Sequence, residues 1–222
     1  MNGMNLQGFG VRSFVIGGLT AKWGIGENRV PPIWDTNLIG YWDARGLPNG
    51  AVSVIANKAT LATKAPDLPI IGATMADGTL QFDGVNSRST TIDFVMPEKF
   101  TIFWDIDWLG DVDTGGGITM HDTLSVSNKA STQQLSLSLG VNSELLPNTV
   151  IGMQTGGKVY SRDGSIAFEG LQAGTTRKPN KLFIGHAQGT NYAQMGFRQL
   201  LIFNKELSPK EVNEVLTTMF PV

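Results

Sequence analysis

Residues 196–212, GFRQLLIFNKELSPKEV, constrain the fold of this chain more than any other stretch. Leu200, Leu201, Ile202 and Phe203 are apolar at consecutive positions. Side chains alternate across a strand, so a strand built of them needs cover on both faces and neighbours on both edges. Just beyond it, Ser208 can cap a helix, Pro209 takes the first helical position, and Glu211 completes an S-x-x-E capping box. Val212, Val215, Leu216 and Met219 then recur on one helical face. Asn204, Lys205 and Glu206 make the turn, and Leu207 stands at the staple position before the cap. The expectation is an interior strand, a tight turn and a short helix folded back over one end of the structure.

Upstream, short apolar segments alternate with turn residues. LIGYWDA precedes the turn LPNG, GTLQFDG ends in Asp83-Gly84, and NSRSTTIDFVM and FTIFWDIDWLG follow as strands. QQLSLSLG alternates at period two, with Leu135, Leu137 and Leu139 on one face. KVYSRDGSIAFEG reads as a hairpin about Asp163-Gly164, and NKLFIGHA completes the series before the closing strand. Many short strands at this spacing predict a sandwich or barrel rather than a parallel α/β fold.

With 222 residues, 41% of them hydrophobic, the chain can build a core without disulfide or metal, and it has no cysteine for either. A net charge of -2 and no basic stripe argue against nucleic acid as a partner. Only 16% of residues are charged, against about 25% in an average globular protein; such a surface suits turn-rich β structure and contact with other subunits. Arg12 and Lys22 bracket a short apolar run broken by Gly17 and Gly18, too short for a signal peptide or a membrane span. The chain is therefore expected to be made in a cytoplasm and not to insert into a membrane. Residues 1–36 are Gly-rich, alternate loosely, and end at a stiff Pro31-Pro32 connector. They read as an N-terminal arm, or equally as a first edge strand, ahead of a domain over residues 37–222.

Three groups of residues carry candidate chemistry. In WDIDW, Asp105 and Asp107 share one strand face at a spacing of about 6.5–7 Å, which suits a glycosidase pair or a shared cation. The preferred reading packs Trp104, Ile106 and Trp108 in the core and turns both aspartates to solvent or a neighbouring subunit. In DVDTGGGITMHD, Asp111 and Asp113, with Asp122 further on, could offer oxygens to calcium; the alternative is a hairpin loop. Asn86 and Arg88 in DGVNSR, and Asn191 and Tyr192 beside Gly189, pair amides and an aromatic ring on loops, as sugar sites do. His121 and His186 read as strand-end or loop residues, since no G-x-S-x-G or H-E-x-x-H accompanies them.

Taken in order, LIGYWDARG, LQFDGVNSRSTTI, FTIFWDIDW, NKLFIGHAQ and GFRQLLIFNKELSPKEV resemble the laminin G-like branch of the concanavalin A-like lectin and glucanase domains, over residues 37–222. The resemblance implies an all-β fold: a two-sheet antiparallel jelly-roll sandwich with a short C-terminal helix. Relatives often carry an acid early in the final strand and a pair of acids after F-D-G, which organise calcium. Here those places hold Arg198-Gln199 and Val85, Asn86 and Ser87, so no cofactor is expected, with calcium at Asp111 and Asp113 as the exception. The glucanases' Glu-x-Asp-x-x-Glu strand is also missing. Similar compact domains occur in bacteriophage tail and other virion proteins. The implied role is a non-enzymatic virion component (tail, neck or capsid-decorating) that contacts other virion proteins and copies of itself, taken as a trimer. Phe9, Phe14, Ile16, Trp23 and Ile25 of the arm would be buried in a neighbour, and a host-surface glycan is a further partner. A free carbohydrate-binding module and a glycan hydrolase on the same fold are the alternatives.

Overall fold

The computed structural model describes residues 11–16, 19–24, 36–90, 92–110, 116–120, 124–129, 134–139, 142–171, 181–186 and 192–220. Strands β1 (Val11–Ile16) and β2 (Leu19–Gly24) form an antiparallel sheet of their own and pair with no other described strand. β3 (Leu38–Asp43) is buried throughout. Short strands follow: β4 (Gly50–Ala51), β5 (Val54–Ile55), β6 (Leu68–Ile71), β7 (Thr74–Ala76), β8 (Thr79–Asp83), β9 (Arg88–Ser89) and β10 (Ile92–Asp93). After β11 (Thr101–Trp108) come β12 (Gly116–Met120), β13 (Leu124–Lys129), β14 (Gln134–Leu139) and β15 (Asn142–Pro147), an antiparallel meander. β16 (Val150–Gln154), β17 (Lys158–Ser161) and β18 (Ile166–Glu169) form a second meander, then β19 (Lys181–Ile184), β20 (Gln194–Phe203) and helix α1 (Pro209–Met219) close the chain.

Among the described residues, nine strands form one sheet in the order β18-β17-β16-β11-β20-β8-β7-β4, with β3 also on β20. β20 is the interior strand that its apolar run demands. β11 lines one edge, while β8 takes its first half and β3 its second half along the other. The facing sheet runs β10-β19-β12-β13-β14-β15. Trp42, Trp104, Leu200 and Ile202 of the first sheet meet Ile118, Val126, Leu137 and Ile184 of the second in the main core. Each such side chain contributes about 1.5–3 kcal/mol by leaving water.

Alternation sends Tyr41, Phe103, Leu201 and Phe203 to the opposite face of the large sheet. There they pack with Val212, Val215, Leu216 and Met219 of α1 in a second core. The helix thus covers the outer face of the sheet and not one end of the sandwich, because β3, β11 and β20 are apolar on both sides. Its start follows the sequence reading. Ser208 accepts the Glu211 N–H at 3.4 Å, Glu211 accepts the Ser208 N–H at 2.8 Å, and Leu207 is buried. The turn is tied down by Thr101, whose hydroxyl donates to the Lys205 carbonyl and accepts from the Leu207 N–H.

The hairpin at Asp163-Gly164 forms, with the Asp163 carboxylate accepting the Ser165 N–H at 2.9 Å. Two other expectations need correction. NSRSTTIDFVM is not one strand: β9 joins β6 in a three-stranded sheet β5-β6-β9, whereas β10 joins β19. The Ser89 hydroxyl accepts the Ile184 N–H at 2.7 Å, tying this crossing segment to β19 of the facing sheet. Within DVDTGGGITMHD, residues 116–120 are not loop but the core strand β12, with Ile118 and Met120 buried.

Candidate functional site

The site grows from Asp83 at the end of β8. Its Oδ1 accepts the N–H groups of Val85 at 2.8 Å, Asn86 at 3.0 Å and Ser87 at 2.9 Å, and the Ser87 hydroxyl at 2.7 Å. Gly84 allows the wrap with a φ of 73°, and a Cβ there would stand 3.0 Å from Gln194. Desolvation works against the charge on Asp83, but the bonds from Ser87, Val85 and Asn86 outweigh it and hold the carboxyl well below the usual range. The loop is therefore set by its own acid.

Beyond the loop, strand alternation buries Ser87 and Ser89 and turns Arg88 outward. The Arg88 Nη1 donates to the Asn86 carbonyl at 2.8 Å, and the guanidinium lies 5.9 Å from the centre of the Tyr192 ring. Tyr192 is held by an antiparallel bridge to His186. The buried His186 packs edge-on against Phe183 at 4.8 Å, with its Nε2 3.2 Å from the Ser89 carbonyl oxygen. The register Val54↔Pro69 and Ile71↔Arg88 puts these four residues on one face of the three-stranded sheet. Their neighbours Ile55, Leu68, Ile70 and Ser89 face the core. Val54, Ile71 and the loop residue Val85 are exposed, Val85 at 69%. An apolar strip thus ends at an Arg-Tyr stack beside the exposed Asn86.

Asn86, Arg88 and Tyr192, chosen from two separate segments, therefore meet at one place. Asn191 lies outside the described residues, as do Asp111, Asp113, Asp122, His121, Phe9 and Ile25. Phe14, Ile16 and Trp23 are in the β1–β2 hairpin, in register with Ala21, Leu19 and Arg12. Among the described residues no group of His, Asp or Glu gathers to hold a metal. Sequence reasoning missed His186 as the seat of Tyr192 and missed the contribution of Val54 and Ile71; the alternation of β6 was the available signal for the latter.

The WDIDW pair is placed differently from expectation. Asp105 is buried, 6% exposed, and accepts Arg162 Nη2 at 2.7 Å and Arg198 Nη1 at 3.2 Å. Asp107 is half-exposed and accepts both Nη1 and Nη2 of Arg198. Only Asp107 thus reaches solvent, because the outer sheet face beyond α1 supplies arginines to cover Asp105. In the neighbouring strands Gln199 accepts Arg45 Nη2 at 2.7 Å and donates to the Met219 carbonyl at 2.6 Å. Asp43 accepts Arg45 Nε at 2.9 Å. Burial of Asp43 opposes its charge, yet Arg45 and Lys58 leave its carboxyl below the ordinary range. Elsewhere a cleft of about 610 Å³ is lined by Ile39, Lys64, Phe94 and Asn204 among others. Its Lys64 amine is spent on the Asn57 carbonyl at 2.7 Å.

No protein-family model matches this chain, and no curated protein matches it. Solved structures do. A Trypanosoma rangeli sialidase in complex with the inhibitor DANA aligns with a TM-score of 0.59 at 16% identity, covering 81% of this chain and 32% of that one. A botulinum neurotoxin type C structure, concerned with cell entry through two ganglioside molecules, aligns at 0.58 and 14% identity, covering 84% and 52%. The binding domain of botulinum neurotoxin serotype D/C aligns at 0.59 and 12%, covering 84% and 53%. This chain spans about a third of the sialidase and about half of the neurotoxin chains. At such identities the likeness speaks for fold alone: the described residues form an antiparallel β-sandwich with a C-terminal helix.

Proposed function

We propose that this chain is a glycan-binding β-sandwich module that performs no chemistry on its ligand. The convergence of Asn86, Arg88 and Tyr192 on an acid-locked loop carries the reading. It pairs an exposed amide with a guanidinium held against an aromatic ring, a small set of placed polar groups of the kind that orients a ligand. The ganglioside interaction of the neurotoxin relative and the inhibitor bound by the sialidase relative support it at the level of fold only. The loop holds its shape without a metal, since Asp83 Oδ1 takes three backbone N–H groups and the Ser87 hydroxyl. Absence of catalysis is supported by Asp105 and Asp107. A general acid must donate a proton, and both carboxylates are engaged as acceptors by guanidinium groups.

The experiment is glycan-array screening of the whole chain, followed by calorimetry on the best ligand with Tyr192→Ala and Asn86→Ala. Each substitution is expected to weaken binding by about tenfold, equivalent to about 1.4 kcal/mol, and chelator is expected to change nothing. Undiminished binding by Tyr192→Ala would sink the site assignment, and loss on chelation would redirect attention to calcium at Asp111 and Asp113.

A second reading takes the separate β1–β2 sheet as an assembly arm and, on the laminin G-like resemblance of the sequence, the module as a tail, neck or capsid-decorating component of a bacteriophage particle. In it the arm joins copies of the chain, as a trimer, and the sandwich meets other virion proteins or a host-surface glycan. Mass spectrometry of purified particles from a phage encoding this chain tests it directly.

A further inference from the structure

We infer that the glycan taken by this site carries a carboxylate, read by Arg88. The inference rests on the glycan-binding proposal and adds the chemical class of the ligand. Four arginines have described side chains. Arg45, Arg162 and Arg198 each hold an aspartate, at 2.9, 2.7 and 3.2 Å respectively. Arg88 holds none. Among the described residues its guanidinium has one hydrogen bond, from Nη1 to a backbone carbonyl, and one aromatic ring beneath it. Nε and Nη2 have no acceptor among the described residues and are open to a ligand.

Three features make this an anion site. The guanidinium is oriented by Tyr192 and the Asn86 carbonyl before any ligand arrives, so little side-chain freedom remains to be lost on binding. The acid in the loop, Asp83, turns its Oδ1 to three backbone N–H groups and a hydroxyl, whose dipoles partly screen the charge they hold in place. Exposed Ile71 stands opposite Arg88 in the sheet and offers apolar surface to the C–H face of a pyranose. A carboxylate accepts two parallel N–H bonds from the planar fork of Arg, and the sulfated arm of the panel below separates it from a sulfate ester. The fitting ligand is a pyranose with an acid group on its ring, such as a uronic or nonulosonic acid.

The test compares wild type and Arg88→Gln on a panel of uronic-acid and sialic-acid oligosaccharides, their carboxyl methyl esters, sulfated oligosaccharides and neutral oligosaccharides. Wild type is expected to bind at least one carboxylated glycan at least tenfold more tightly than its methyl ester. That preference should weaken as salt rises and vanish in Arg88→Gln. An ester bound as tightly as the acid, or a preference for sulfated or neutral glycans, overturns the carboxylate assignment while leaving glycan binding intact. Wild type binding nothing on the panel overturns the glycan reading itself. The acid-to-ester ratio is measured on wild type alone, so it decides the question even if Arg88→Gln fails to fold.

Discussion

Asp83 and Glu211 each spend a carboxylate on ordering a few neighbouring residues, and both do so with a lowered pKa. The Lys205 amine and the Ser208 N–H bring Glu211 down to about 2, and Asp83 lies lower still. A depressed folded-state pKa gives stability that is present above the unfolded value, about 3.9 for Asp and 4.3 for Glu. That stability is lost as pH falls towards the folded value. The stability difference between wild type and Asp83→Asn should therefore be full near neutral pH and shrink steadily below about pH 4; denaturant titrations across that range will show it, and a pH-independent difference would refute the role. Asp105 answers to different physics. Its buried carboxylate neutralises Arg162 and Arg198, whose side chains are 37% and 30% exposed. Complete burial of such a pair would put the cost of Asp105→Ala at about 3–5 kcal/mol; with both arginines partly solvated, about 1–3 kcal/mol is expected in urea unfolding. WDIDW announced that the two aspartates share a face. It could not announce the arginines, which arrive from segments more than 50 residues away.

Among the elements, α1 and β20 were the most legible because their signals are local. A capping box, a proline at N1 and a four-residue apolar stripe all lie within the helix or at its edge. Ser208→Ala is expected to cost about 1 kcal/mol and about 2–4 °C of melting temperature in a chain of this size, read by calorimetry. Where the helix docks was not legible, because the receiving surface is assembled from β3, β11 and β20 together. The division of NSRSTTIDFVM into β9 and β10 escaped for the same reason, each piece being defined by a partner remote in sequence. β12 escaped through composition: its glycines read as loop, whereas Gly117 is there because a Cβ would come 2.5 Å from Trp108.

For the whole molecule, the β1–β2 hairpin stands as a sheet apart from the sandwich's strand pairings. A chain beginning at residue 37 is expected to fold with a melting temperature within a few degrees of the full chain. If the arm joins copies of the chain, as proposed, light scattering should find the full chain as an oligomer and the truncated chain as a monomer; the same assembly state for both would remove the arm from the assembly. The sequence by itself determined the class of fold, the interior character of β20, the capped helix and the individual residues of the candidate loops. These depend on periodicity and on bonds between near neighbours, which a linear pattern records. Tertiary structure alone decided that Arg88 meets Tyr192, that Asp105 is covered by two arginines, and that α1 lies on the back of the large sheet. Each of those contacts joins distant segments through burial and register, and no spacing along the chain encodes which partner alternation will bring opposite.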